Sequence, residues 1–480
     1  MKNNILKNSL VVIFTIVLIS IFSSCRKDEL YTGNEKVLVF TSDTLTFDTV
    51  FTTIGTVTRY FRVNNTSEKI VSLDIALKNI DGLQTFRINV DGESGKHFED
   101  VKIPPNDYIY IFAEATIDPG NVNNPFVVGD VIEYKYNNTI QKSFLQAWGQ
   151  DAYFHYGEID RNHTNAIWLN DKPHVVVRNS TFPGYAADST SSITIQPGCR
   201  IYVAPNSGIY IEGELYIGNA TNQDSVIFQS SRLETLQNGT NFTDKPGMWT
   251  GIVLFSGAKA EIYNTIINQS ESGIQGRHTS SEIAVLIDNT GRPDILLEKV
   301  QIKNASRNAI VSINSKIKAT NCLFHSTGNH TVAIALGGSV AFDNCTMHTN
   351  GTSGSNDSEI LVLSNFLQTN KGAGLNHLTN ADFTNCIIYA NAEEQIVLSQ
   401  DEQVDFNYSF KNCLLKTQLE NQTNFTDCIF NQNPDFVSIS DDNFNLESSS
   451  PCIATGFNNG ILDDLYFNTR TNFDIGAIAY

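Results

Sequence analysis

Basic side chains are scarce in this chain: 32 Lys and Arg stand against 51 Asp and Glu, a formal net charge of −19. A partner that needs a broad cationic face, such as DNA, RNA or an anionic lipid surface, is thereby disfavoured. Charged residues of both signs make up only 17%, against 41% hydrophobic, so disorder over most of the chain is excluded. Long stretches of Ala, Glu, Lys and Leu are missing, and with them long helices. No P-loop, Gly-x-Ser-x-Gly or His-Glu-x-x-His pattern occurs. Apolar runs of membrane length are absent too, apart from one shorter run near the N-terminus.

What is abundant is turn chemistry. The 480 residues include 52 Asn and 31 Gly, enough length for at least two units and a texture of strands joined by turns. Lys2 and Lys7 precede the apolar run Leu10 to Phe22, which is followed by Ser23, Ser24 and Cys25. That order reads as a signal peptide core, and the small residues before Cys25 resemble a bacterial lipoprotein signal. The resemblance implies cleavage after residue 24, acylation of Cys25 and a tether over 25–35. Arg26-Lys27-Asp28-Glu29 is similar to the tether of lipoproteins that reach the outer leaflet of the outer membrane.

From 36 to 152 short runs alternate apolar and polar, as in Arg59-Tyr60-Phe61-Arg62-Val63, with turn clusters such as Asn64-Asn65 between them. Thr46-Phe47-Asp48-Thr49-Val50-Phe51 and Ile109-Tyr110-Ile111-Phe112-Ala113 resemble an immunoglobulin-like β-sandwich, which implies a spacer or adhesion module. From about 160 the texture changes. Ile193-Thr194-Ile195 through Gly208-Ile209-Tyr210-Ile211-Glu212-Gly213 to Gly251-Ile252-Val253-Leu254-Phe255 resembles the opening of right-handed parallel β-helix proteins.

A repeat supports that reading independently. Asn321-Cys322-Leu323-Phe324-His325 recurs at Asn344, Asn385, Asn412 and, degenerately, at Asp427, with weaker copies at Asn264 and Lys299. The closest copies are one solenoid coil apart; the wider gap between Asn344 and Asn385 demands an extra coil or a large loop. Strand alternation turns the second and fourth positions inward: Val300, Cys322, Cys345 and Cys386, then Ile302, Phe324, Met347 and Ile388. The leading Asn falls at the bend, where its amide can reach the Asn of the next coil. The fold class is all-β, and the resemblances imply an immunoglobulin-like sandwich at 36–152 and a right-handed parallel β-helix at 160–449. Ser450-Pro451-Cys452-Ile453 through Tyr480 resembles the ending of secreted β-helix proteins, which implies that residues 450–480 cap the last coil.

Seven cysteines follow Cys25, an odd number for a disulfide framework. Cys322, Cys345, Cys386, Cys413 and Cys428 share one inward position and read as small buried hydrophobes. Their spacing does not suit zinc, and no cofactor or metal is implied. Chemistry points instead to the outward fifth position, Lys303, His325, His348 and Tyr389, and to the locally basic stretch carrying Lys299, Lys316 and Lys318. An island of this kind could hold an anionic sugar. The resulting expectation is a non-catalytic glycan-binding face on an outer-membrane lipoprotein, with a polysaccharide lyase as the alternative and a structural spacer as a third reading. If the N-terminal reading holds, Cys25→Ser removes acyl chains that each contribute roughly 0.8 kcal/mol per buried CH₂. Detergent-phase partitioning should then be lost; partitioning that survives the substitution contradicts acylation.

Overall fold

The computed structural model describes residues 29–51, 55–80, 85–117, 126–160, 165–235, 239, 241–277, 291–349, 358–369, 372–420 and 423–480. The apolar run 10–22 and Cys25 lie outside them. The chain divides into two compact units, one ending at Asp151 and one starting at Ala152.

Alternation builds the first unit. In Arg59–Asn65, Phe61 and Val63 are buried while Tyr60 and Arg62 face out. One five-stranded antiparallel sheet runs in the order Leu38–Phe40, Arg59–Asn65, Tyr108–Ala115, Phe86–Val90, Glu93–Gly95. The other is Thr44–Phe51, Thr139–Gln150, Phe126–Tyr136, Val71–Asn79, His97–Ile103, and only its first pair is parallel. Inward residues of both sheets, among them Phe47, Phe61, Phe86, Ile111 and Ile132, form one core. Residues 29–35, expected as a free tether, are held against this unit. Tyr31 N donates to Ile70 O (2.8 Å), and Asn137 Nδ2 and Thr139 Oγ1 donate to the carbonyls of Gly33 and Asn34.

The second unit is built on one 26-stranded sheet whose strands pair in parallel, mostly with strands two or three further along; no closed sheet forms among the described residues. Pairing in register stacks like on like. Leu297, Ala319, Phe342, Phe383, Phe410 and Phe425 fall in one column, with ring centroids 5.2, 4.7 and 4.9 Å apart along its four phenylalanines. Val300, Cys322, Cys345, Cys386 and Cys413 are fully buried in a second column, with Cys428 half-buried at its end. Burial pushes the thiols of Cys345, Cys386 and Cys413 well up, and each donates to a carbonyl of a preceding strand, as Cys386 Sγ does to Phe342 O (3.3 Å). No disulfide joins the described cysteines.

The bend residues Asn264, Asn321, Asn344, Asn385, Asn412 and Asp427 have φ between 41° and 54°, a left-handed conformation that Asn and Asp tolerate best. Thr346 pairs directly with Ile387, so the wide gap after Asn344 is a loop, not an extra turn. It includes the hairpin Phe366–Thr369 with Gly372–Leu375.

Residues 450–480, expected as a cap on the last coil, pack along one side of the sheet. They run back along the bend column: Thr455 O accepts from Asn412, Phe457 O from Asn385, and Asp463 O from Asn321, while Asn459 Nδ2 donates to Asn344 Oδ1. Only Asn385 to Asn344 (3.3 Å) makes the expected contact between bend amides. The preceding segment covers the column of fifth positions. Phe444 packs on His325 (4.8 Å between centroids) and His348 (5.5 Å), leaving them 0% and 4% exposed. The expectation of outward, accessible histidines is thus corrected: they leave the sheet on its outer side but meet a second layer. The outward third positions Leu323, Ile387 and Leu414 are buried under the same layer.

His325 lies between Gln301 Nε2 (3.0 Å), Ser326 Oγ (3.0 Å) and the Asp442 carboxylate (3.4 Å), with Lys303 and His348 nearby. Burial pushes its pKa down to about 3, against the opposing pull of Asp442. From pH 6.5 downward the unfolded chain therefore binds a proton that the folded chain refuses, and stability falls with pH. Between pH 6.5 and 5 that loss is up to about 2 kcal/mol, at 1.36 kcal/mol per unit. Urea midpoints at pH 7.5 and 5 should fall less in His325→Asn than in the parent. Equal pH dependence in both proteins contradicts the burial of a neutral imidazole there.

Candidate functional site

The basic island is largely neutralised. Lys299, expected outward, takes the bend position with φ 55° and is only 4% exposed. Its ammonium reaches Glu298 (3.2 Å) and Asp463 (3.1 Å) and sits over the Phe467 ring. It therefore fastens the C-terminal segment and offers no free charge. Lys303 pairs with Asp442 (2.9 Å) and Lys316 with Asp294 (2.7 Å). Lys316 and Lys318 do point outward, with Ile317 and Ala319 in the core. Tyr389 is half-buried beside Ile387 and Leu446, under the Lys416 ammonium. The seven candidate residues do not converge on one accessible surface.

What the sheet brings together around Lys318 is a polar groove of about 410 Å³, lined by Glu298, Lys318, Thr320, Asn321, Asp343 and Asn459 among others. Glu298, Thr320 and Asp343 stand side by side on three successive strands. Burial raises the Asp343 carboxyl, with the Lys318 charge opposing and Asp382 reinforcing the rise.

A second groove of about 560 Å³ lies nearer the start of this unit, lined by Phe182, Ala186, Asp188, Tyr210, Glu212 and Phe255 among others. Its floor follows from register: Gly184–Ala187 pairs with Gly208–Ile211, and that strand pairs with Ile252–Phe255. Gly184 permits the approach. A Cβ there would lie 2.0 Å from Gly208 O, and its φ of 153° suits glycine. Ile209 and Ile211 anchor the strand in the core while Tyr210 projects outward. Its ring meets Phe182 edge-on (5.7 Å) and lies nearly parallel to Phe255 (6.5 Å). Asp188 Oδ1 is oriented by Thr190 and Ser191, whereas Glu212 is exposed. Aromatic faces beside carboxylates can stack on sugar rings and accept hydroxyl protons. Among the described residues no group of three or more His, Cys, Asp or Glu is arranged to hold a metal. The sequence signal for this groove is an aromatic, Tyr210, between the apolar alternate positions Ile209 and Ile211.

No protein-family description matches the chain, and no curated protein matches it. Solved structures show only distant likeness. A family 123 glycoside hydrolase from Clostridium perfringens, studied for glycolipid glycan hydrolysis, is 10% identical over 27% of this chain and 26% of its own, with a TM-score of 0.18. This chain thus spans about a quarter of that protein. The catalytic domain of a GH87 α-1,3-glucanase bound to nigerose is 10% identical over 78% of this chain and 88% of its own, TM-score 0.21. ACE19, the collagen-binding subdomain of the Enterococcus faecalis surface protein ACE, is 14% identical over 24% of this chain and 99% of its own, TM-score 0.14. At these scores the likenesses carry no argument about what this chain does; its fold is all-β with a large parallel sheet.

Proposed function

We propose that the chain is a surface-anchored lipoprotein that binds glycan through the aromatic groove of its second unit. In this reading the first unit is an immunoglobulin-like sandwich and the second a right-handed parallel β-helix, a reading supported by the parallel pairing of strands mostly two or three apart. The carrying observation is the groove of Phe182, Tyr210 and Phe255 with Asp188 and Glu212. Because Lys299, Lys303 and Lys316 are each paired with a carboxylate, the ligand is recognised by ring stacking and hydroxyl contacts more than by charge. Acylated Cys25 would hold the protein at the outer membrane.

A hydrolytic reading draws on the polar groove. Glu298 and Asp343 flank Thr320, two strand spacings or about 9–10 Å apart, at the upper edge for an inverting carboxylate pair. One experiment addresses both. Affinity electrophoresis in gels containing laminarin, hydroxyethyl cellulose, dextran or pectin measures retention, and reducing ends released from the same polymers measure turnover. Retention by at least one polymer should weaken about fivefold in Tyr210→Ala, the equivalent of about 1 kcal/mol of stacking. Turnover abolished by Asp343→Asn would favour the hydrolytic reading; retention unchanged by Tyr210→Ala contradicts the groove.

A further inference from the structure

The outer face of one sheet in the first unit carries four aromatic rings where an exposed strand ordinarily carries polar side chains. Tyr60 projects from Arg59–Asn65, and Tyr108, Tyr110 and Phe112 from the adjacent Tyr108–Ala115. The three tyrosines are 40%, 40% and 36% exposed. The rings touch as a continuous strip: Tyr60 to Tyr110 5.3 Å, Tyr60 to Phe112 5.6 Å, Tyr108 to Tyr110 5.3 Å. A contiguous exposed apolar surface of this kind marks a contact site.

Three observations identify the occupant. Both strands are interior to their sheet, so their backbone groups are already paired and a peptide cannot add as a further strand. Beyond the rings, the outward residues of these strands and of neighbouring Phe86–Val90 are Arg62, Asn64, Glu114, Arg87 and Asn89, and the one aliphatic on the flanking strand Leu38–Phe40 is Val39, beside Asn64. Flat π faces take the polarised C–H face of a pyranose, and the guanidinium, amide and carboxylate groups answer its hydroxyls in both donor and acceptor senses. Finally, a cavity of about 340 Å³ opens beside Phe112, lined by Thr58, Arg87, Asn89 and Glu114 among others, where a sugar next along the chain can seat. Arg62 lies over the Tyr108 ring at 5.0 Å, fixing the far end of the strip.

We propose that this face is a second glycan-binding site, an aromatic platform for a chain of pyranose units that ends in the cavity beside Phe112. It rests on the reading that the protein binds glycan, and uses residues separate from the groove at Tyr210.

The test uses the full chain and its Tyr60→Ser/Tyr110→Ser, Tyr60→Phe/Tyr110→Phe and Tyr210→Ala variants, run in gels containing laminarin, hydroxyethyl cellulose, dextran or pectin. The serine pair should lose at least about fivefold in retention, the phenylalanine pair should hold it, and Tyr210→Ala should add its own loss. A serine pair retained like the parent, with Tyr210→Ala weakened, overturns the platform and leaves the groove standing. Loss in the phenylalanine pair equal to that in the serine pair overturns ring stacking as its basis. Retention of the parent in none of the gels removes both sites. Sedimentation velocity supplies the remaining outcome: a concentration-dependent dimer abolished by the serine pair makes the face a self-association surface and overturns the proposal.

Discussion

The strands of the large sheet of the second unit lie in parallel register on one another, and the other features of that unit are conditioned by this pairing. Neighbouring strands are ~4.8 Å apart, so a residue at one level packs against the residue at the equivalent position of the next. A column therefore takes side chains that fit closely one above another. Rings serve at Phe342, Phe383 and Phe410, thiols at Cys345, Cys386 and Cys413. The same constraint requires the chain to turn at the same place each time, in a left-handed conformation that costs most residues roughly 1–2 kcal/mol. Asn at 264, 321, 344, 385 and 412 meets that demand with a side chain whose amide remains available.

Those amides then act as a track. Successive bend residues hold successive parts of the C-terminal segment, from Thr455 at Asn412 to Asp463 at Asn321 and Lys299. The segment's apolar side chains, with Phe436 and Phe444, form a second layer over one side of the sheet. Surface remains open where that layer does not reach, and the aromatic groove at Tyr210 lies there, near the start of the unit.

Much of the fold was legible because alternation and repetition are local properties. The five-residue motif alone fixes which side chains enter the core, and Val300, Cys322, Phe324 and Met347 are buried where alternation puts them. What alternation cannot show is what covers the other side. His325 and His348 leave the sheet outward and still lie buried, because Phe444 comes from more than 90 residues further along the chain. A clue lay in the apolar third positions Leu323, Ile387 and Leu414, which an open surface would not favour. Lys299 misled for another reason. Its charge suggests an exposed position, yet it occupies the bend where other copies carry Asn and is buried there. The candidate grooves were less legible still, since each joins residues from strands a turn or more apart.

The most direct test of the stacked account is thiol accessibility, because its columns place Cys322, Cys345, Cys386 and Cys413 at 0% exposure without a disulfide. An alkylating reagent applied to native protein, followed by peptide mass mapping, should leave these four unmodified over times that label them completely in denaturant. Rapid native labelling of Cys345 and Cys386, or a mass that reveals a disulfide between them, would contradict the stacking of these residues on paired strands.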